Sequence, residues 1–337
     1  MSFINQNSFI IRKSNKHLVN IYFTNNLCLD FYNSSNELTH STTLTNFIPS
    51  QSSYINFTLS NNDLIQGIYK KDNLKLLSIS NSDNSISQCD LLSYNNKKFN
   101  IIFPFFKNID NSYHILYYLY NNSSRNTCVL FHHYCTNGVW IENKIDFINH
   151  IVLDNFTVLW SNNSPIVFYF NLVNGFEEVF FSRFNINSST WSKPCQITSS
   201  KKHKIYLSVI KDSMNFYHIT FCENIDNGYS VRYLNGFLND LGYSFETDLF
   251  ITGSSSCMYP SLIKENNKLN LMWVNFNRLY TCSSDDFGTT WSDHSIDEIS
   301  IENDFIMSKF LSNYKEDSCF NLSNTFNIYK SIDILGF

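Results

Sequence analysis

Side chains that could bind a ligand are concentrated in the turns between strand-like runs, and most of them are basic. The set comprises one aromatic residue that opens such a run and five turn residues: Tyr259, Arg278, Arg125, Lys201, Lys202 and His203. A guanidinium group donates in a planar fork that matches a carboxylate, whereas an ammonium group acts as a point charge. We predict a binding site among these turns; solvated loop tips are the alternative, because exposed positions are usual for charged residues.

Metal and nucleotide chemistry receives no support from the sequence. His132 and His133 are adjacent in a strand-like run, so their side chains point to opposite faces and suit packing better than one shared metal ion. The chain contains no Gly-rich phosphate loop, no H-E-x-x-H and no nucleophile elbow. We therefore expect no cofactor and no metal site.

The composition is rich in aromatic residues and poor in charge. Of the 337 residues, 43% are hydrophobic and 17% aromatic, whereas 16% are charged. Such a composition favours strands around a large core. The net charge of -5 gives no reason to expect nucleic-acid binding. No apolar run approaches the roughly 18 residues of a membrane span, so we expect no membrane insertion.

The cysteines and the N-terminus both predict a reducing compartment. The 9 Cys are odd in number and include no C-x-x-C pair, as expected for reduced thiols that act as small hydrophobic residues. The first residues, MSFINQNSFI, lack the apolar core of a signal peptide. We therefore predict a cytoplasmic protein, with later surface association left open, and we expect a monomer.

Strand-like runs recur with a period that predicts a repeat architecture. Large apolar residues follow short polar turns about every 50 residues, the period of a four-stranded repeat. These markers are Leu38, Ile86, Trp140, Trp191, Phe245 and Trp291. The pattern predicts one all-β domain over residues 1–337, with seven repeats of four antiparallel strands, the last lacking its fourth; six repeats are the alternative. Because an open sheet edge invites aggregation, residues 2–6 are predicted to supply that outer strand.

A turn motif specifies the sixth repeat. The run Ser284-Asp285-Asp286-Phe287-Gly288-Thr289-Thr290-Trp291 fits S-x-D-x-G-x-T-W, and it follows strand-like runs that open at Tyr259 and cover residues 268–274 and 279–283. An Asp at the head of a tight turn accepts hydrogen bonds from N–H groups two or three residues on, and Gly supplies a positive φ. The Trp is expected to pack between neighbouring hairpins.

This motif resembles the Asp-box, or BNR repeat, of sialidase-like β-propellers. The resemblance implies an all-β propeller of four-stranded antiparallel blades, with the motif on the face opposite the ligand site. The residues that carry the resemblance, and to which it gives a structural role, are Ser284, Asp286, Gly288, Thr290 and Trp291.

The resemblance also frames two predictions of function. A sialidase needs three Arg on the substrate carboxylate, a Tyr nucleophile paired with a Glu, and an Asp acid. For these roles the resemblance implies Tyr259, Arg278 and Glu223 in this chain. The chain has five Arg and lacks the F/Y-R-I-P signature of the family. We therefore predict a non-catalytic module that recognises a glycan or a protein on one face, with aromatic content favouring sugar stacking. The alternative is a sialidase-like exo-glycoside hydrolase with Tyr259 as nucleophile.

Overall fold

The computed structural model describes residues 2–44, 52–81, 83–109, 112–149, 155–239 and 242–336, without the side chains of Ser52 and Arg125. Within these ranges the chain consists of β-strands and turns, one helix, α1 (Glu298–Glu302), and two 3-10 helices, Ser52–Tyr54 and Lys315–Cys319. None of the described helices has the length and apolar character needed to cross a membrane.

Repeats 1 to 3 each form a four-stranded antiparallel unit in chain order. Their fourth strands are the exposed ones. Repeat 1 comprises β1 (Phe3–Arg12), β2 (Leu18–Phe23), β3 (Leu27–Tyr32) and β4 (Leu38–Leu44). Repeat 2 comprises β5 (Ile55–Leu59), β6 (Ile65–Lys70), β7 (Leu74–Ile79) and β8 (Ile86–Leu92). Repeat 3 comprises β9 (Phe99–Ile109), β10 (Ser112–Asn121), β11 (Ser124–Thr136) and β12 (Val139–Ile148).

Repeats 4 to 6 follow the same order, and repeat 4 has a divided fourth strand. Repeat 4 comprises β13 (Thr157–Ser161), β14 (Ser164–Val173), β15 (Phe176–Asn185), β16 (Thr190–Trp191) and β17 (Cys195–Gln196). Repeat 5 comprises β18 (Lys204–Lys211), β19 (Phe216–Ile225), β20 (Gly228–Asn239) and β21 (Gly242–Phe250). Repeat 6 comprises β22 (Cys257–Glu265), β23 (Lys268–Asn275), β24 (Arg278–Ser284) and β25 (Ser295–Ile296). The predicted all-β class is thereby confirmed.

The seventh repeat forms no sheet of its own. Its strands are β26 (Phe305–Ser312), β27 (Phe320–Leu322), β28 (Thr325–Ile328) and β29 (Ile334–Leu335), so the fourth strand that we predicted to be missing is present as the short β29. β26, β28 and β29 continue the sheet of repeat 1, and β27 pairs with β22 of repeat 6. The seven sequence repeats, as far as the structure describes them, therefore occupy six sheets.

The two ends of the chain meet at inner strands, not at an outer one. We predicted residues 2–6 as the outer strand of repeat 7, but Phe3 pairs with Phe305 and Ile4 with Ile306 in a parallel ladder between β1 and β26. The reason is apolar burial: the ring of Phe3 lies 5.2 Å from that of Tyr259 and 5.4 Å from that of Phe305. If residues 2–6 formed an exposed outer strand, the Phe3 ring would lose these contacts and lie in water.

The Asp-box turn closes through its side chains. Asp286 Oδ1 accepts a hydrogen bond from the Thr290 N–H at 2.8 Å, and Oδ2 accepts one from the Thr290 hydroxyl at 2.6 Å. The Ser284 hydroxyl accepts from the Gly288 N–H at 2.8 Å. The N–H groups of Thr289 and Thr290 both donate to this carboxylate, so the predicted donor three residues after the Asp is joined by one four residues after it. Bonds from Thr290 lower the pKa of Asp286 to about 2.

Each Trp that ends such a turn packs on the third strand of the preceding repeat. The Trp291 ring meets that of Tyr233 in β20 at 5.0 Å, edge to face, and the Tyr233 hydroxyl donates to the Phe287 carbonyl at 3.3 Å. Trp191 of repeat 4 donates its indole N–H to His132 Nδ1 in β11 at 3.0 Å. The predicted packing of Trp between hairpins is confirmed, and it joins successive repeats.

Candidate functional site

The first strands of all the repeats surround one cavity of about 730 Å³. Its walls come from β1, β5, β9, β13, β18, β22 and β26, with further residues from the β2–β3 turn and the end of β27. This volume lies within the range of roughly 300–1,000 Å³ that is typical of ligand pockets. The convergence of seven repeats on this space makes it the candidate site.

Three aromatic residues reach the cavity at bulges in the inner strands. Phe103, Tyr206 and Tyr259 have φ angles of 51°, 61° and 51°, a region that residues other than Gly rarely adopt. At each of them the ladder to the second strand of the repeat shifts register. Bulges redirect side chains, and this backbone strain costs about 1–3 kcal/mol per residue. Because this strained backbone recurs at equivalent positions in three repeats, we infer that the bulges are a specific feature of the cavity wall.

Two pairs of aromatic rings from neighbouring repeats form part of the wall. The ring centroids of Tyr206 and Tyr259 are 4.1 Å apart, with the planes tilted by 40°. Phe105 and Trp160 are stacked, with centroids 6.5 Å apart and planes 26° from parallel. All four side chains are partly exposed. Flat apolar surfaces of this kind, with a hydroxyl or indole N–H at the edge, suit the faces of sugar rings.

The charged side chains in the described part of the cavity wall are basic. Lys107 and Lys309 are the charged side chains among the described lining residues, and no Asp or Glu is among them. Lys107 Nζ donates to the Leu59 carbonyl at 3.1 Å, and burial lowers the pKa of this ammonium group. Amide and hydroxyl side chains supply the remaining polar lining, including Asn5, Asn56 and Ser53.

Comparisons with solved structures identify the architecture. No family model and no curated protein matches the chain. The α-L-arabinanase of Penicillium chrysogenum superposes with a TM-score of 0.54 at 6% identity, over 83% of this chain and 94% of the enzyme. The fold is a β-propeller. The GH93 α-L-arabinofuranosidase of Fusarium graminearum superposes with a TM-score of 0.51 at 9% identity, over 81% of this chain and 92% of that one.

A third similar structure, the polysaccharide lyase Uly1, gives a TM-score of 0.54 at 8% identity, over 88% of this chain and 82% of the lyase. Identities this low show a shared fold and say nothing about shared chemistry. The chemistry of this propeller therefore has to be argued from its own cavity.

Of the sequence-predicted site residues that the structure describes, Tyr259 lines the propeller's cavity. Its hydroxyl donates to Asn5 Oδ1 at 2.6 Å. Arg278 is directed elsewhere, since its Nη1 donates to the carbonyls of Ile301 at 3.0 Å and Ser300 at 3.4 Å in α1. The side chain of Arg125 lies outside the described residues, so its role stays a prediction.

The predicted run Lys201-Lys202-His203 lies at the junction of repeats 4 and 5. The Lys201 N–H donates to Glu178 Oε1 at 2.9 Å, and His203 Nδ1 lies 2.8 Å from Glu177 Oε2. The Lys202 ammonium lies 5.8 Å from the ring centroid of Phe250. None of the three is among the described lining residues.

Glu223 is buried within the same junction. Its carboxylate accepts hydrogen bonds from Arg232 Nη1 at 2.8 and 2.9 Å and from the Ser200 hydroxyl at 2.6 Å. Lys204 Nζ lies 3.6 Å from it. These contacts place the carboxylate in an ion-pair network and not beside Tyr259, the nucleophile with which a sialidase mechanism would pair it.

The paired histidines have different partners, as their alternation predicted. His132 Nε2 lies 3.0 Å from His114 Nδ1, and His133 Nε2 lies 2.6 Å from the Tyr117 hydroxyl. Burial lowers the pKa of His114 to about 4, so this ring is neutral at physiological pH. Across the described part of the chain, no group of three or more His, Cys, Asp or Glu could hold a metal ion.

Most cavity residues on inner strands were not predicted, because the candidate residues other than Tyr259 lie in predicted turns. Lys107, Phe105, Trp160 and Tyr206 all lie within β9, β13 or β18. One signal was available: the dipeptides Phe103-Pro104 and Tyr259-Pro260 place Pro inside strand-like runs. Pro within a strand indicates a bulge or an edge, and here it accompanies a bulge that faces the cavity.

Proposed function

We propose that this propeller is a non-catalytic recognition module that binds a glycan in its central cavity. The observation that carries the proposal is the pair of aromatic contacts on the cavity wall, Tyr206 with Tyr259 and Phe105 with Trp160. A concave site with partly exposed aromatic rings and a few amide and hydroxyl groups favours a small saccharide over a flat protein surface. The similar arabinanase and arabinofuranosidase contribute only the class of ligand, a saccharide, to this proposal. No catalytic step of theirs is assigned to this chain.

The lining chemistry supports binding without hydrolysis. Most glycosidases use two carboxyl groups that flank the scissile bond. The described lining residues include no Asp or Glu. A Tyr nucleophile needs an adjacent base, and the Tyr259 hydroxyl donates to the amide oxygen of Asn5 at 2.6 Å. An amide oxygen accepts a hydrogen bond but cannot remove the proton near neutral pH.

Screening a glycan array and titrating the best hit tests the proposal. Trp160→Ala removes one member of a stacked pair and is expected to weaken binding about tenfold or more, as truncation of an aromatic anchor does. Trp140→Ala is the matched control, since Trp140 is 45% exposed on the outer strand β12. It should change the affinity less than about twofold.

Tyr206→Ala, from the other aromatic pair, provides an independent test if Trp160→Ala lowers the melting temperature. Absence of any glycan hit, or a hit whose affinity all three variants leave unchanged, would refute binding in the cavity.

Hydrolysis assays on the same preparation separate the proposal from the sialidase-like alternative. We expect an aryl sialoside to be cleaved at the background rate, because the Tyr259 hydroxyl donates to an amide oxygen and the described cavity lining includes no carboxylate. The readout is release of the aryl alcohol over several hours. Turnover by the unmodified protein that is lost in the Tyr259→Phe variant would refute the non-catalytic proposal and establish Tyr259 as the nucleophile.

A further inference from the structure

The charge of the described cavity lining is opposite in sign to that of the whole chain. The protein has 29 Asp and Glu against 24 Lys and Arg. The described lining residues nevertheless include two Lys and no acidic side chain. A concave site lined by one sign of charge concentrates ligands of the opposite sign. The glycan site proposed above is therefore suited to a negatively charged ligand.

Both lysines lie on inner strands that flank the same neighbour, β5. Lys107 of β9 donates to the carbonyl of Leu59, the last residue of β5. Lys309 of β26 is paired with Phe9 of β1, whose ring packs on Phe57 of β5 at 5.1 Å. Phe57 precedes Leu59 by two residues, a rise of about 7 Å along a strand. The two lysines therefore reach the cavity from either side of β5, in the half of that strand that ends at Leu59.

We propose that the glycan bound in this cavity carries a sulfate ester, which Lys107 and Lys309 bind together. The inference rests on the proposed glycan-binding function and names the ligand class. No Arg is among the described lining residues, so the planar fork that matches a carboxylate is missing there. An ammonium group is a point charge with three donors, which suits a tetrahedral group with three terminal oxygens.

The surroundings of the lysines fit this assignment. Ser53 and Asn56 line the cavity at the start of β5 and add hydroxyl and amide groups to it. Burial disfavours the charged form of Lys107, and a bound anion would restore it. Asp63, in the turn after β5, is not among the described lining residues, and its carboxylate accepts hydrogen bonds from the N–H of Ser14 at 2.9 Å and the amide of Asn313 at 2.8 Å.

An array of matched oligosaccharides tests the proposal. Each backbone is presented in a sulfated form, a desulfated neutral form and a form that carries a carboxylate. The protein should bind its best sulfated glycan about tenfold or more tightly than the desulfated counterpart, the effect of a hydrogen bond to a charged group. Raising NaCl from about 0.05 to 0.5 M should weaken only the charged glycan.

Single variants assign the effect to the two lysines. Lys107→Met and Lys309→Met should each remove most of the preference for sulfate and leave affinity for the desulfated glycan within about twofold. Lys193→Met, at an exposed turn position outside the described lining, removes the same charge and should change neither affinity. Melting temperatures of all three confirm that they are folded.

The outcomes separate the two proposals. Equal affinity for sulfated and desulfated glycans that still depends on Trp160 would overturn the sulfate inference and leave glycan binding intact. A preference for the carboxylate form would also overturn it. Failure to bind any glycan would overturn both.

Discussion

Replacing Lys204 by Met should lower the free energy of unfolding by about 3–5 kcal/mol, the cost of leaving buried charges without their partner. The Lys204 side chain is fully buried, with Nζ 2.8 Å from Glu178 Oε2 and 3.6 Å from Glu223 Oε2. It also donates to the carbonyls of Glu177 and Lys202 at 2.8 Å. Met matches the stem of Lys in length, so the variant removes the charge and its hydrogen bonds with little change in packing. Urea unfolding provides the measurement.

Lys202→Met is the control for Lys204, because Lys202 is exposed in the same run. Its loss should be below about 1 kcal/mol. Combining Lys204→Met with Glu178→Gln should restore part of the stability, since the second change removes an uncompensated charge. A loss below about 1 kcal/mol in Lys204→Met alone would show that this network does not hold repeats 4 and 5 together.

Gly288→Ala should destabilise the propeller by about 1–3 kcal/mol more than Gly175→Ala. Both glycines have a φ of 88°, so both substitutions incur the left-handed strain of about 1–2 kcal/mol. A Cβ on Gly288 would overlap the hydroxyl and ring of Tyr233, whereas one on Gly175 would meet nothing within 4 Å. Overpacking of a rigid contact adds the difference.

Thermal and urea unfolding of the two Gly variants measure that difference directly. Glycan affinity, measured well below each melting temperature, should be unchanged in both, because Gly288 and Gly175 are not among the described lining residues. Equal destabilisation by Gly288→Ala and Gly175→Ala would mean that the Asp-box turn is not tightly packed against Tyr233 of repeat 5. A loss of affinity in a folded Gly288→Ala protein would place the Asp-box turn in the binding site.

The features that the sequence predicted are those encoded by neighbouring residues. Ser284, Asp286 and Thr290 bond one another within a single turn, so their types and spacing specify the turn. The strands of repeat 6 could be predicted from the sequence for the same reason. Even here Gly288 has a second role that the motif does not reveal, since its contact with Tyr233 spans two repeats.

The features that were missed depend on pairing between distant segments. The β1–β26 ladder joins residues about 300 positions apart, and local patterning does not specify which edge residues 2–6 will join. Lys204 resembled its exposed neighbours in the run Lys201-Lys202-His203 until burial against Glu178 and Glu223 distinguished it. Lys107 and Trp160 lie in strands, and only closure of the ring brings them to one cavity.

The most direct test of a glycan site in the propeller's centre is a crystal structure with the tightest-binding oligosaccharide from the array. We expect density for the sugar inside the cavity, with one ring face within about 4 Å of Trp160 or Tyr206. An anionic substituent should lie beside Lys107 and Lys309. Density on the outer strands or at the Asp-box turns, with the cavity holding water alone, would refute a glycan site in the cavity.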